Sequence, residues 1–229
     1  MHVVSANKGP IVLAYDELVM AAASPAGSRL RFSACVGGYL PSVNIGRRDL
    51  AGARIERIEA VLNGTTNGIL RAMEAGTSYE EALSEMQQRG IAEADPTLDV
   101  EGWDAANKLV ILANAVLGRP TTLADVEIAG VTRLTADELR EALAHNARVV
   151  LLCLAEPFEG DYRLSVRPTA LPLDHPLSRM SGDEMGIVYY TDIGGRTSAT
   201  TLERGPGPTA AAMLRDVLDL VGSSSRNSL

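Results

Sequence analysis

Lysine is almost absent from this chain. Of its 21 basic residues only Lys8 and Lys108 are lysines, each preceded by Ala-Asn, and the rest are arginines. Arginine is permanently charged and planar, whereas a lysine ammonium is compact and responds to desolvation. The two retained lysines are therefore candidates for proton chemistry. Aromatic residues are scarce as well, at 4%, and no basic run interleaves with them. That excludes the stacking, phosphate-tracking surface of a nucleic-acid binder. A net charge of -8 and a pI near 5.0 argue against nucleic acid or an acidic membrane as partner. Cysteine occurs twice, as Cys35 and Cys153, with no CxxC, and His2, His145 and His175 are scattered. This gives no ground for a zinc site and fits reduced, buried thiols of a cytoplasmic protein. The longest apolar runs, 109–113 and 149–155, fall far below the ~20 residues of a membrane span. The opening MHVVSANKG has no charged segment followed by an apolar one, so no secretion signal is expected there.

What is present is ordinary globular material: 46% hydrophobic and 22% charged residues, in a length that allows one large domain or two small ones. Apolar spacing predicts a helix over 11–24 that stops before Pro25, and a strand over 29–36 running into a Gly37-Gly38 turn. A strand over 54–62 leads into a capped helix over 63–76. The next helix, 78–90, opens on a capping box of Ser78 and Glu81. After Asp95-Pro96 comes a helix from about 99 to 117, ended by Gly118 and Pro120. The second half holds a helix over 135–147, strands over 148–155, 162–171 and 185–193, and a hairpin-like 196–205. A last helix over 208–221 leads into a polar tail, 222–229. Mixed strands and helices without a repeat place the chain in the α/β or α+β class.

The densest chemical signal is GIAEADPTLDVEGWDAANKLVILANAVLG (90–118), which puts Glu93, Asp95, Asp99, Glu101, Asp104 and Lys108 within sixteen positions. In a helix beginning near Asp99, Glu101, Asp104 and Lys108 share a face at i, i+3, i+7. The run Leu-Val-Ile-Leu-Ala that follows is apolar all round, so the helix is buried and Lys108 stands at its mouth. A buried lysine flanked by carboxylates is suited to general acid catalysis. The same spacing also describes a solvated Asp104–Lys108 pair, and the carboxylates also suit the positive end of a helix dipole. NGTTNG (63–68) is a strand-to-helix turn whose free N–H groups suit a carboxylate or phosphate, or equally an ordinary capped start. CVGGYLP (35–41) is a turn with exposed carbonyls or simply a strand end. GPGPTA (205–210) can pass close to a cofactor, though many Gly-Pro turns share its pattern.

In combination these segments resemble the homoserine dehydrogenase family. The resemblance runs through HVVSANK, VGGYLP, RIERIEAVLNGTTNGIL, the 80–118 block, HPL at 175–177 and GPGPTA, in the same order over nearly the whole chain. It implies an α/β protein: an α+β catalytic domain with a mixed β-sheet covered by helices, plus remnants of a Rossmann-type nucleotide-binding domain. It also implies reduction of aspartate 4-semialdehyde to homoserine with NADP or NAD, in a cytoplasmic homodimer joined through the catalytic-domain sheet. Residue by residue, it makes Lys108 the proton donor to the aldehyde oxygen and Lys8 a second catalytic lysine. Glu93 and Asp99 would bind the substrate ammonium, Asp104 would orient the site, and Gly64 and Thr65 would touch substrate through backbone. Asn7, Lys8, Gly205 and Gly207 would lie at the nicotinamide end of the cofactor. The carbonyls of Val36, Gly38 and Leu40 would hold Na+ or K+.

Three departures stand beside the resemblance. The chain has no G-x-G-x-x-G loop. Ser33 stands where the family has the Glu that helps hold the cation. Gly68 replaces the usual Tyr, and the GPG turn is short. The expected division is a nucleotide-domain remnant (1–24), a catalytic and dimerisation domain (25–193), a return segment and helix (194–221) and a flexible tail (222–229). Three readings remain open: an enzyme whose dinucleotide-binding half lies elsewhere, an inactive relative that binds ligands or partners, or a related dehydrogenase acting on a different aldehyde or 2-amino alcohol. Exposed apolar edges where the nucleotide layer packs would favour aggregation.

Overall fold

The computed structural model describes residues 1–23 and 28–225. It begins with β1 (Val3–Val4), α1 (Lys8–Leu13) and α2 (Tyr15–Ala22). The single helix expected over 11–24 is thus two, because Ala14 leaves the helical region at φ -141°; Ser24 and Pro25 lie outside the described residues. β2 (Leu30–Arg31) pairs in parallel with β1 to form a two-stranded sheet. The longer strand expected over 29–36 stops there. Ser33 turns both its N–H and its hydroxyl to Asp216, at 2.9 and 2.7 Å, so residues Ser33–Cys35 form a 3-10 turn instead of extending the ladder. The turn leads into a one-turn α3 (Ser42–Asn44) and a π-helical turn at Ile45–Asp49.

Next come β3 (Ile55–Val61), α4 (Gly64–Glu74) and α5 (Tyr79–Gln88). The capping box at α5 forms as its sequence indicates, with Ser78 accepting from Glu81 N–H and the Glu81 carboxylate accepting from Ser78. The helix expected from 99 to 117 is in pieces: α6 (Thr97–Val100), α7 (Trp103–Leu112) and a π-helical turn at Ala113–Leu117. Gly102 separates α6 from α7 at φ +87°, a left-handed conformation natural only to glycine. Glu101 consequently does not share a face with Asp104 and Lys108. It points away and accepts from the Thr132 hydroxyl at 3.0 Å.

β4 (Val126–Ile128), which no pattern foretold, precedes α8 (Ala136–Ala144), β5 (Ala147–Phe158), β6 (Asp161–Pro172), β7 (Met185–Thr191), β8 (Gly195–Thr201) and α9 (Gly207–Ser225). Of the hairpin-like segment, only 196–201 is strand, within β8. Residues 222–225 of the expected tail continue α9, while 226–229 lie outside the described residues.

Six strands form one mixed sheet, ordered β4-β6-β5-β3-β7-β8 and antiparallel except for β4 beside β6. β5 reads as continuously apolar because both of its faces are covered. Leu151, Cys153 and Ala155 pack against the helices, whereas Val150, Leu152 and Leu154 join Leu177 and Met180 on the far side. The helical layer of α4, α7 and α8 thus lies on one face, and the loop at the end of β3 opens toward it.

Candidate active site

Two residues past β3 organise the site. Leu62 O accepts from Lys108 Nζ at 2.5 Å. Asn63 caps α4, its Oδ1 taking the Thr66 N–H at 2.9 Å. The other end of the same amide donates to Asp99 Oδ1 at 2.6 Å and Asp104 Oδ2 at 2.9 Å. On α7, Asp104 and Lys108 are one turn apart, and Lys108 Nζ donates to Asp104 Oδ2 at 2.6 Å. Lys8, the first residue of α1, reaches the remaining oxygen, Asp104 Oδ1, at 3.1 Å. Two lysines a hundred positions apart converge on one carboxylate. With side chains only 12% and 14% exposed, Lys108 and Asp104 are not the solvated surface pair that their spacing alone allowed.

These contacts set the electrostatics. Burial alone would raise the Asp104 carboxyl, but the Lys108 and Lys8 ammonium groups and the bonds from Lys108 and Asn63 overcome it and hold its pKa at about 2. Asp99 moves the opposite way. Its burial raises it above the ordinary carboxylate value, and the Asn63 bond only partly offsets this. A lysine ammonium has three N–H groups. Lys108 uses one on Leu62 O and one on Asp104, leaving the third for a ligand oxygen.

Lys108, Asp104 and Asp99 border a cavity of about 570 Å³ that also touches Gly64, Thr65, Glu93 and Gly205. Gly64 is confined there, since a Cβ on it would sit 2.8 Å from Asp183 O. Glu93 is exposed at the rim, where Gln87 Nε2 donates to its carbonyl at 3.1 Å. Asp95 is a local cap for Thr97 and plays no part in the cavity. Asn7 and Gly207 do not border it either: Asn7 caps α1, and Gly207 opens α9.

Val36, Gly38 and Leu40 form a separate turn. Val36 O accepts from Ser42 Oγ and Leu40 O from Ser42 N, both at 2.8 Å. Glu203 links this turn to the cavity, its carboxylate accepting from Tyr39 N and Leu40 N. Sequence reasoning missed Asn63, Asp183 and Glu203. Asn63 was visible as a cap, and a capping Asn keeps a free amide N–H2. Glu203 lies two residues before the Gly-Pro-Gly turn, whereas Asp183 carries no local signal.

Known proteins match nearly the whole length of the chain. A sequence model of homoserine dehydrogenase matches residues 41–218. The homoserine dehydrogenase of Methanocaldococcus jannaschii is 40% identical over 226 residues, covering 98% of this chain and 66% of that protein. The chain belongs to the homoserine dehydrogenase family. An NAD(+)-dependent homoserine dehydrogenase of Pseudomonas canavaninivorans is 37% identical, with 98% of this chain and 64% of that protein covered. A crystal structure of a putative homoserine dehydrogenase from Archaeoglobus fulgidus superposes with a TM-score of 0.88 at 37% identity, covering 96% of this chain and 67% of that one. The chain thus spans about two thirds of the length of these homoserine dehydrogenases. Within the family resemblance, Gly68 has a local reason: a Cβ there would lie 2.6 Å from Met86 Sδ, so glycine lets α4 and α5 pack closely.

Proposed function

We propose that this chain carries the substrate-binding and proton-transfer part of a homoserine dehydrogenase. The reaction is the NAD(P)-dependent interconversion of L-homoserine and L-aspartate 4-semialdehyde, on the branch to threonine and methionine. The observation that carries the proposal is the buried Lys8–Asp104–Lys108 cluster, with Asp99 tied to it through Asn63 at one wall of an open cavity.

Lys108 directs its free N–H at the substrate carbonyl oxygen and gives up that proton as the alcohol forms. Asp104, ionised throughout the physiological range, holds both ammonium groups in place. Asp99 and Glu93 receive the substrate ammonium, and a cation beside Asp99 counteracts the burial that raises its pKa. Gly64 and Thr65 supply first-turn N–H groups of α4 to the substrate carboxylate; the Asn63 cap takes only that of Thr66. Gly205 and Gly207 suit the approach of a flat ring, since a Cβ on either meets nothing within 4 Å. The family resemblance assigns Asn7 and Lys8 to that same end, and Lys8 is held against Asp104 at 3.1 Å. The nicotinamide, when bound, supplies the hydride.

β1 and β2 form their own small sheet, and α9 packs beside β1 and the Ser33 turn. That supports a nucleotide-side layer built from β1, α1, α2, β2 and α9, while β8 belongs with the catalytic sheet. Family membership further supports a homodimer, measurable by sedimentation. The enzymatic reading is tested by fusing the chain behind the dinucleotide-binding segment of a relative and following nicotinamide absorbance. L-homoserine-dependent reduction of NAD+ or NADP+ is expected, and its absence in a folded fusion sinks the assignment.

A further inference from the structure

The turn that the family resemblance assigns to a monovalent cation is furnished differently here. Ser33, at the position of the expected Glu, is consumed by Asp216: its N–H and Oγ occupy one oxygen each, at 2.9 and 2.7 Å. Of the three carbonyls, Val36 O and Leu40 O already accept from Ser42. Glu203, the carboxylate against the turn, faces the N–H groups of Tyr39 and Leu40. A cation is held where several oxygens converge, preferably with an anionic one among them. Val36 O and Leu40 O each keep only one lone pair beside their Ser42 bond, and Ser33 supplies no anionic oxygen.

A positive charge is nevertheless in place. Arg215, on the third turn of α9, directs Nη1 at Tyr39 O and Nη2 at Ser33 Oγ, both at 3.4 Å. Its guanidinium carbon stands 5.5 Å from the centroid of the Tyr39 ring. Nε is buried without a hydrogen-bond partner, so the fold and not solvent fixes the side chain. Among the described residues no carboxylate lies within ion-pair distance of it, and the charge stays directed at the turn.

We infer that the Gly37-Gly38 turn binds no monovalent cation and that the Arg215 guanidinium stands in for one, steadying the turn that positions Glu203 at the cavity. Arg215 is a positioning residue: it touches Tyr39 and Ser33, not the cavity. The inference rests on the family assignment, which identifies the turn, but its test needs no turnover and can fail while the proposed activity stands. Thermal unfolding of the ligand-free chain is compared in NaCl, KCl and choline chloride at matched ionic strength, alongside sodium NMR line widths. The wild type is expected to show the same Tm in all three salts and no protein-dependent sodium broadening beyond a potassium-insensitive background. Arg215→Met, which keeps the apolar stem, is expected to gain a rise in Tm in NaCl or KCl over choline. A saturable, ion-specific shift or potassium-displaceable broadening in the wild type overturns the inference. Arg215→Met that folds yet shows no gain overturns the stand-in role. Should that variant not fold, the wild-type salt comparison alone still decides cation binding.

Discussion

The third N–H of Lys108 is the atom on which the proposed chemistry depends, and a guanidinium cannot replace it. Arginine is longer and planar and does not release a proton near neutral pH. Lys108→Arg in an active fusion is expected to lower kcat by about a hundredfold or more; a near-normal kcat would show that Lys108 is only structural. Asp104 makes a prediction about stability. Its folded pKa of about 2 lies below the ordinary 3.8, so the stabilisation is complete above 3.8 and lost as pH falls toward 2. The shift corresponds to about 2 kcal/mol. Asp104→Asn should therefore unfold at lower denaturant than wild type at neutral pH, with the gap closing between pH 3.8 and about 2. A gap unchanged across that window would show that the lysine pairs do not set the carboxyl. Lys108 and Asp104 were legible because their spacing and the apolar run after them are local facts. The second partner, Lys8, was legible as an oddity of composition and through the family resemblance, but nothing in 1–13 by itself announces that α1 will lie against α7.

Elements with strong local grammar formed where the sequence put them. The capping boxes at Ser78 and Thr135 start α5 and α8, and β3, β5, β6 and β7 follow runs of β-branched and apolar residues. What failed was continuity. Periodicity carried one helix through 99–117, but it cannot register a left-handed residue in mid-pattern, and Gly102 was the one available sign. Two- and three-residue strands such as β1, β2 and β4 are too short to show any period. Gly102 also fixes where α7 starts, and so where Asp104 and Lys108 point. At φ +87° an alanine is strained, and its Cβ would lie 3.2 Å from Ile128 Cγ2. Gly102→Ala should cost about 1–3 kcal/mol in chemical denaturation. In the active fusion it should also raise KM for homoserine, because the corner can relax only by moving α6 with Asp99. A variant of wild-type stability would mean that the corner is not held by its neighbours.

For the molecule as a whole, the surface of α9 is the anomaly. Ala212, Asp216 and Leu220 are buried, whereas Leu214, Val217, Leu218 and Val221 are 57, 41, 62 and 65% exposed, an apolar stripe at i, i+3, i+4, i+7. Beside it, β1 and β2 form a two-stranded ribbon, marginal by itself. An exposed stripe of this kind promotes association. The Leu214→Glu, Leu218→Glu double variant should bind less of a hydrophobic dye and stay monodisperse to higher concentration without a lower Tm; a clear fall in Tm would place the stripe inside the packing of this chain. The same surface bears on cofactor binding. The cavity end at Gly205 is open, but the chain holds no G-x-G-x-x-G loop, and it is the backbone N–H groups of such a loop at a helix N-terminus that grip a pyrophosphate. Without that grip only the nicotinamide end has contacts, too few to offset the cost of immobilising a whole dinucleotide. Calorimetry of this chain with NADH and NADPH should therefore give no micromolar binding, while the fusion to a dinucleotide-binding segment should bind one of them. Micromolar affinity in the chain alone would locate a phosphate grip in the described fold, with Arg89 and Arg204 at the cavity rim the first residues to replace.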